Sequence, residues 1–353
     1  MQSKMSKLWL WAKKLYKNIL RLFFLSPNSS RNLDIINDQD FIDLVNNKIK
    51  LLTWTRKNSI NVTSYQRYFN FLKELELTEE FSIITTRGNL VIKGVSLHPI
   101  LKNSNNKKVI IFCHGVTNNK WSLFYIIHLV LQRGYQVINY DARNHGSSEN
   151  SINTLGQEES CDLQDIIGYV KKTYQPEKIC LYGFSMGAAT CLFWISYFSG
   201  GNNSEVKLVV SESSFEDFSG TYEYILGKGI NYYWKKILVD KLIENKLKST
   251  KQALKEISPF INMPWRLPVK LLLLHGLEDS IVEWKCSLNF YHRLKRTNKK
   301  KINLYLFKHA DHGEVSFIGD HVPDSIRWRT SKKESQKYST FTELLYNYLQ
   351  KNL

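Results

Sequence analysis

Residues Lys178 to Thr190 read K-I-C-L-Y-G-F-S-M-G-A-A-T. A short apolar run, Ile179 to Tyr182, turns through Gly183-Phe184-Ser185-Met186-Gly187 into small residues and a helical pattern from Ala188 to Tyr197. Strand, tight turn and helix with a serine at the turn fit the G-x-S-x-G pattern of a nucleophile elbow. A serine on so sharp a turn sits in a strained backbone. Its neighbours at minus two and plus two approach adjacent main chain, where a side chain would clash. The turn lifts the Ser185 hydroxyl clear of the sheet. It also leaves the Met186 amide at a helix N-terminus, where N–H groups lack intrahelical partners and favour negative charge. In a chain with 17 glycines the five-residue pattern is weak on its own, so its meaning rests on partners elsewhere.

The surroundings alternate strands and helices. Apolar runs at Val109 to Cys113, Tyr135 to Tyr140, Val206 to Val210, Val269 to Leu274 and Ile302 to Phe307 read as strands. Trp121 to Gln132 and Cys161 to Tyr174 read as helices between them. Such alternation implies a mostly parallel sheet with both faces covered, and catalytic groups beyond the carboxyl ends of its strands. Phe81 to Thr85 and Leu90 to Leu97, joined through Arg87-Gly88-Asn89, read as a preceding β-hairpin. The tail from Ser339 reads as a closing helix.

A serine hydroxyl needs a base to take its proton and a carboxylate to orient that base. In this architecture the order is serine, acid, histidine. After Ser185 an apolar strand runs into His275-Gly276-Leu277-Glu278-Asp279, which makes Asp279 the preferred acid and Glu278 the alternative. Beyond the next strand comes Lys308-His309-Ala310-Asp311-His312-Gly313, with His312 the preferred base and His309 the fallback. His114-Gly115-Val116-Thr117 follows the strand Val109 to Cys113, where a second oxyanion donor is expected beside Met186; Val116 is the candidate. Side chains of His114, Asp141, Arg143 and His145 read as structural, and His145 precedes Ser185, out of order for a base.

Together H-G-V-T at His114, D-A-R-N-H-G-S-S at Asp141, G-F-S-M-G at Gly183, H-G-L-E-D at His275 and A-D-H-G at Ala310 resemble the α/β-hydrolase superfamily. The likeness spans Phe81 to Leu353 and looks closest to its capped bacterial esterase, lipase and serine-aminopeptidase-like branch. It implies Ser185 as nucleophile, His312 as base, Asp279 as orienting acid, and Val116 and Met186 as oxyanion donors. The family's R-G-H-G stands here as Arg143-Asn144-His145-Gly146.

The expected organisation is an α/β-hydrolase domain over residues 81–353 with a helical cap at 212–267 inserted after the strand near Val210, following a helical extension over 28–80. The cap is aromatic-rich (Tyr222, Tyr224, Tyr232, Tyr233, Trp234), which reads either as an acyl-binding roof or as packing against the body. Residues 1–27 stand apart. Lys13, Lys14, Lys17 and Arg21 share one helical face opposite Leu8, Trp11, Leu15, Ile19, Leu22 and Phe23, a pattern that suits an anionic membrane surface or packing on the domain itself. Charges interrupt residues 8–25 too often for a spanning helix.

The 353 residues carry 49 Lys and Arg against 32 Asp and Glu, a net charge of +17. The lysines are scattered and accompany much Asn and Ile, and no nucleic-acid-binding motif is found, so no nucleic-acid partner is expected. Cys113, Cys161, Cys180, Cys191 and Cys286 are odd in number and form no C-x-x-C pair. They read as buried free thiols in a reducing compartment, without zinc, and no cofactor is expected. The expected activity is hydrolysis of a small ester or acyl substrate, in the cytoplasm or at the inner face of the membrane. Serine aminopeptidase or thioesterase is the alternative, with Glu212, Glu216 and Asp217 as candidate anchors for a substrate amine. A non-catalytic binding protein on the same fold is the lesser alternative.

Overall fold

The structure is a computed structural model that describes residues 78–99, 107–116, 118–151, 153–226, 257–321, 325–328 and 338–353. The basic amphipathic segment, the helical extension up to residue 77, and cap residues 227–256 lie outside the described residues.

Among the described residues a sheet of nine strands forms the centre. In chain order these are β1 (Thr78–Ile84), β2 (Val91–Leu97), β3 (Lys108–Cys113), β4 (Gln136–Tyr140), β5 (Lys178–Phe184), β6 (Val206–Glu212), β7 (Lys270–Gly276), β8 (Ile302–Phe307) and β9 (Ile326–Trp328). Their spatial order is β1-β2-β4-β3-β5-β6-β7-β8-β9. The strands from β4 through β8 are parallel, while β1, β2 and β9 run antiparallel at the two margins. The helices are α1 (Phe124–Leu131), α2 (Gln157–Tyr174), α3 (Met186–Phe198), α4 (Phe218–Leu226), α5 (Lys285–Lys295), α6 (Val315–His321) and α7 (Phe341–Asn352).

The central strands are predominantly apolar, at odd and even positions alike, because both faces are covered. In β3, Val109, Ile111 and Cys113 enter one core, and Ile110 and Phe112 the other. In β7, Leu271 and Leu273 alternate with Leu272 and Leu274 in the same way. The first core is closed by Ile166 and Val170 of α2, Leu192 and Trp194 of α3, and Phe290 and Leu294 of α5. The second is closed by Ile127 and Leu131 of α1, Ile318 of α6, and Phe341 and Leu345 of α7. Each such side chain contributes about 1.5–3 kcal/mol on burial, and this drives the layers together.

Two expectations need correction. The strand Ile302 to Phe307 does not end the sheet, because β9 adds a three-residue antiparallel edge along β8. The helix expected from Trp121 starts at Phe124. Residues 119–122 form turns instead, with the Trp121 amide donating to Asn119 Oδ1 and the Ser122 amide to Asn119 O. The Lys120 ammonium is held on Asp141 at 2.6 Å.

The loop after β4 is anchored to α2 by a buried ion pair. Arg143 donates from two nitrogens to the two Asp162 oxygens, each at 2.7 Å. With both side chains shielded from water, losing the cation strands a charged partner. Arg143→Ala is expected to cost about 3–5 kcal/mol in urea denaturation. A loss under about 1 kcal/mol, typical of exposed pairs, would show that solvent screens this pair.

Candidate active site

Three loops meet at the carboxyl edge of the parallel strands. The first is the turn between β5 and α3. Ser185 sits there at φ 54° and ψ −116°, and its amide donates to Glu212 O on β6 at 2.9 Å. The flanking glycines permit this. A Cβ on Gly183 would lie 2.2 Å from Gly187 O, and one on Gly187 would lie 2.0 Å from Cys113 O and 2.7 Å from His114 O. The start of α3 therefore presses directly on the end of β3. The turn holding Val116, closed by the Asn118 amide on Gly115 O at 3.2 Å, follows immediately. Met186 is the first residue of α3, so its N–H has no intrahelical acceptor.

The second loop follows β7. Asp279 is buried there, and its Oδ1 accepts the amides of Ile281 at 3.0 Å and Val282 at 2.8 Å. The third follows β8 and carries His312. His312 Nδ1 lies 2.8 Å from Asp279 Oδ2, and His312 Nε2 lies 3.0 Å from Ser185 Oγ. A carboxylate can only accept, so the hydrogen resides on Nδ1 and Nε2 presents its lone pair to the serine hydroxyl. The Phe184 ring tilts against the imidazole at 4.9 Å between centroids and limits its swing.

Of the alternatives, Glu278 and His309 bond to each other at 2.9 Å on the surface. His114 ties two loops together, its Nδ1 at 2.8 Å from Gly115 O while Nε2 accepts the Ala142 amide at 3.0 Å. Burial, and then His145 nearby, pushes that imidazole down to about 4, so it is neutral at physiological pH. Asp141 is fully enclosed and accepts from Lys120 and from the amide and hydroxyl of Ser147. Burial pushes its carboxyl up, but the Lys120 cation and these hydrogen bonds leave it below the ordinary value. Glu212 is buried and accepts the Tyr182 hydroxyl at 2.5 Å. Asp217 caps α4 through the Gly220 amide at 2.6 Å, and Glu216 accepts from Asn289 at 2.7 Å.

Three supporting residues lie in stretches the sequence singles out, His275 and Asp311 in the H-G-L-E-D and A-D-H-G motifs and Tyr224 in the aromatic cap, but their roles are not evident there. His275, at the end of β7, has its Nε2 3.0 Å from Val282 O and 3.3 Å from Asp279 Oδ2, while its Nδ1 meets Ser287 Oγ at 2.8 Å. A carbonyl can only accept, so Nε2 carries the hydrogen and serves the Asp279 carboxylate. Asp311 accepts the Ser280 amide at 2.7 Å, its hydroxyl at 2.8 Å and the His312 amide at 2.7 Å, and so clamps the second loop to the third. Tyr224 of α4 donates to Asp279 O at 2.9 Å, bringing the first part of the inserted segment over the second loop.

Comparison with known proteins agrees with this architecture. A family model described as the alpha/beta hydrolase fold matches residues 108–233. YqkD of Bacillus subtilis is 27% identical over 69% of this chain and 75% of its own. YfhR of Escherichia coli (strain K12) is 24% identical over 58% of this chain and 66% of its own. The structure of the Pyrococcus furiosus esterase Pf2001 superposes with a TM-score of 0.50 at 24% identity, over 68% of this chain and 86% of that one. The family match and the superposition both give this chain the α/β-hydrolase fold.

Burial pushes the Asp279 carboxyl up, but hydrogen bonds from His275 and His312 outweigh it and hold the group well below the ordinary range. A depressed carboxylate adds stability that is complete above the unfolded value, about 3.9, and is lost as pH falls towards the folded one. Asp279→Asn is therefore expected to be less stable than wild type at neutral pH, with the gap narrowing below about pH 4. Urea midpoints of both proteins across that window check this. A gap that stays constant would show that the ionised form gains nothing from its partners.

Proposed function

We propose that the protein is a serine hydrolase that cleaves carboxylic esters through an acyl-enzyme. The observation that carries this reading is the continuous chain from Asp279 through His312 to Ser185, at 2.8 and 3.0 Å. Ser185 Oγ attacks the carbonyl carbon while its proton passes to His312 Nε2. Asp279 stabilises the resulting imidazolium and stays ionised. The carbonyl oxygen, now negative, is received by the amides of Met186 and Val116; one such donor is commonly worth about 3–4 kcal/mol to the transition state. Collapse expels the alcohol, protonated by the imidazolium. A water activated by His312 then releases the acid and restores Ser185.

Several features support the ester over a peptide. An aminopeptidase needs carboxylates open to a substrate amine. Here Glu212 is engaged by Tyr182, Glu216 by Asn289 and Asp217 by the start of α4. The position of Tyr224 supports a cap that closes over the acyl group.

Ser185→Ala is expected to lower hydrolysis of a p-nitrophenyl ester by about six orders of magnitude, because the three residues act as a unit. A fluorophosphonate probe is expected to label wild type at Ser185 and to leave the variant unlabelled. Undiminished turnover in the variant removes the assignment. Faster cleavage of aminoacyl p-nitroanilides than of p-nitrophenyl esters moves the substrate class to peptides.

A further inference from the structure

A recess of about 400 Å³ opens at the opposite edge of the sheet, where the parallel strands begin. Lys207, Lys270, Lys301 and Lys351 line it, with Asn203 and Asn352, and no carboxylate side chain is among its walls. Lys207 lies at the start of β6, Lys270 opens β7 and Lys301 immediately precedes β8. These three strands are neighbours, spaced by roughly 4.8 Å each; Lys270 and Lys301 stand side by side in register, and Lys207 reaches the same recess from the irregularity at the start of β6. Lys351 completes the ring from the last turn of α7.

These cations are not used up within the protein. The Lys270 ammonium donates to Asn352 Oδ1, and the Lys301 ammonium donates to Leu267 O at 2.7 Å. An ammonium has three donors, so each retains more. Lys207, Lys301 and Lys351 are exposed. Among the described residues none of the four has a carboxylate within ion-pair distance. Glu205, whose carboxyl feels Lys207, is bonded to Lys171 at 2.8 Å. Like charges gathered around one hollow repel, and a multiply charged anion with several acceptor oxygens relieves that repulsion. Lysine serves a phosphate as a point charge, and the volume falls in the range of small-ligand sites.

We infer that this recess binds a phosphate-bearing ligand, through Lys207, Lys270, Lys301 and Lys351, at a site distinct from Ser185. The same chemistry is offered by a soluble phosphate ester and by the headgroup of an anionic phospholipid. The inference does not depend on the proposed hydrolysis.

The test uses the full chain, with inorganic pyrophosphate in a calorimeter and with phosphatidylcholine vesicles prepared with and without phosphatidic acid. One variant combines Lys207→Gln, Lys301→Gln and Lys351→Gln, all at exposed positions. A control combines Lys93→Gln, Lys285→Gln and Lys308→Gln, which removes equal charge away from the recess. Wild type, the control and Ser185→Ala are expected to bind alike, and the recess variant about tenfold or more weakly, the loss that follows removal of charge-assisted hydrogen bonds. Recess-dependent binding of pyrophosphate without vesicle binding assigns a soluble ester. Recess-dependent binding of phosphatidic acid vesicles, displaced by pyrophosphate, assigns a headgroup. The inference is overturned if wild type binds neither probe, or if the control variant loses as much affinity as the recess variant.

Discussion

The backbone of Ser185 is the constraint on which the rest of the site depends. A side-chain-bearing residue at φ 54° and ψ −116° carries strain of about 1–3 kcal/mol, and it persists only where the surroundings over-determine it. Here they do so from three directions. β5 is paired on both sides, to β3 and β6. The Ser185 amide is fixed on Glu212 O, while Ser185 O accepts the Ala189 amide at 3.0 Å and so begins α3. Gly187 is pinned against the end of β3. Each contact joins the turn to a different strand or helix, so the turn cannot relax without breaking sheet pairing. The same packing that strains the serine sets the loop of Val116 beside it.

The second dependency is electrostatic. Asp279 is enclosed, and an isolated ionised carboxylate there would be costly. The amides of Ile281 and Val282 and the two imidazoles of His275 and His312 supply the compensating donors. Only one of those donors, His312, also reaches Ser185. The others fix the direction of the carboxylate, and the carboxylate fixes the tautomer of His312. His275 is itself held by Ser287 of α5, so a helix packed on the far side of β7 helps to aim a hydrogen bond at the carboxyl edge.

This coupling also explains what the sequence disclosed and what it withheld. The central strands are legible because they are predominantly apolar runs, and the elbow because its glycines sit where a side chain would clash. Ser185, Asp279 and His312 were named from their order and from the strand ends they follow, and the structure brings those three side chains into contact. α5 was not legible. Its buried stripe is Ser287, Phe290, Tyr291 and Leu294, so a hydroxyl stands where periodicity asks for a hydrocarbon, because His275 needs a partner there. β9 has three residues, too few to display alternation. Asp311 and His275 stand in quoted motifs, yet their roles are not legible for a related reason. Those roles lie in contacts to Ser280 and Asp279, whose partners a motif does not specify. Glu212, a candidate anchor for a substrate amine, is instead buried, with the Tyr182 hydroxyl of the neighbouring strand donating to its carboxylate.

The two edges of the sheet differ in charge for a reason only partly supplied by the fold. Helices in this arrangement start at the carboxyl edge and end at the amino edge, and their dipoles favour acids at the first and bases at the second. Asp217 at the start of α4 follows this rule, as do Lys171 and Lys172 in the last turn of α2 and Lys351 in that of α7. Lys207 and Lys270 stand on strands, whose net dipole is small; the helix ends beside them, at Ser199 after α3 and Asn352 of α7, favour a cation but do not account for so many. Nor does neutralisation of neighbouring acids, since Glu205 and Glu177 are bonded to Lys171 and Lys107. Once dipoles and ion pairs are subtracted, what remains at the amino edge is a set of cations arranged around a hollow, and an anion from outside the chain is the partner their placement leaves room for.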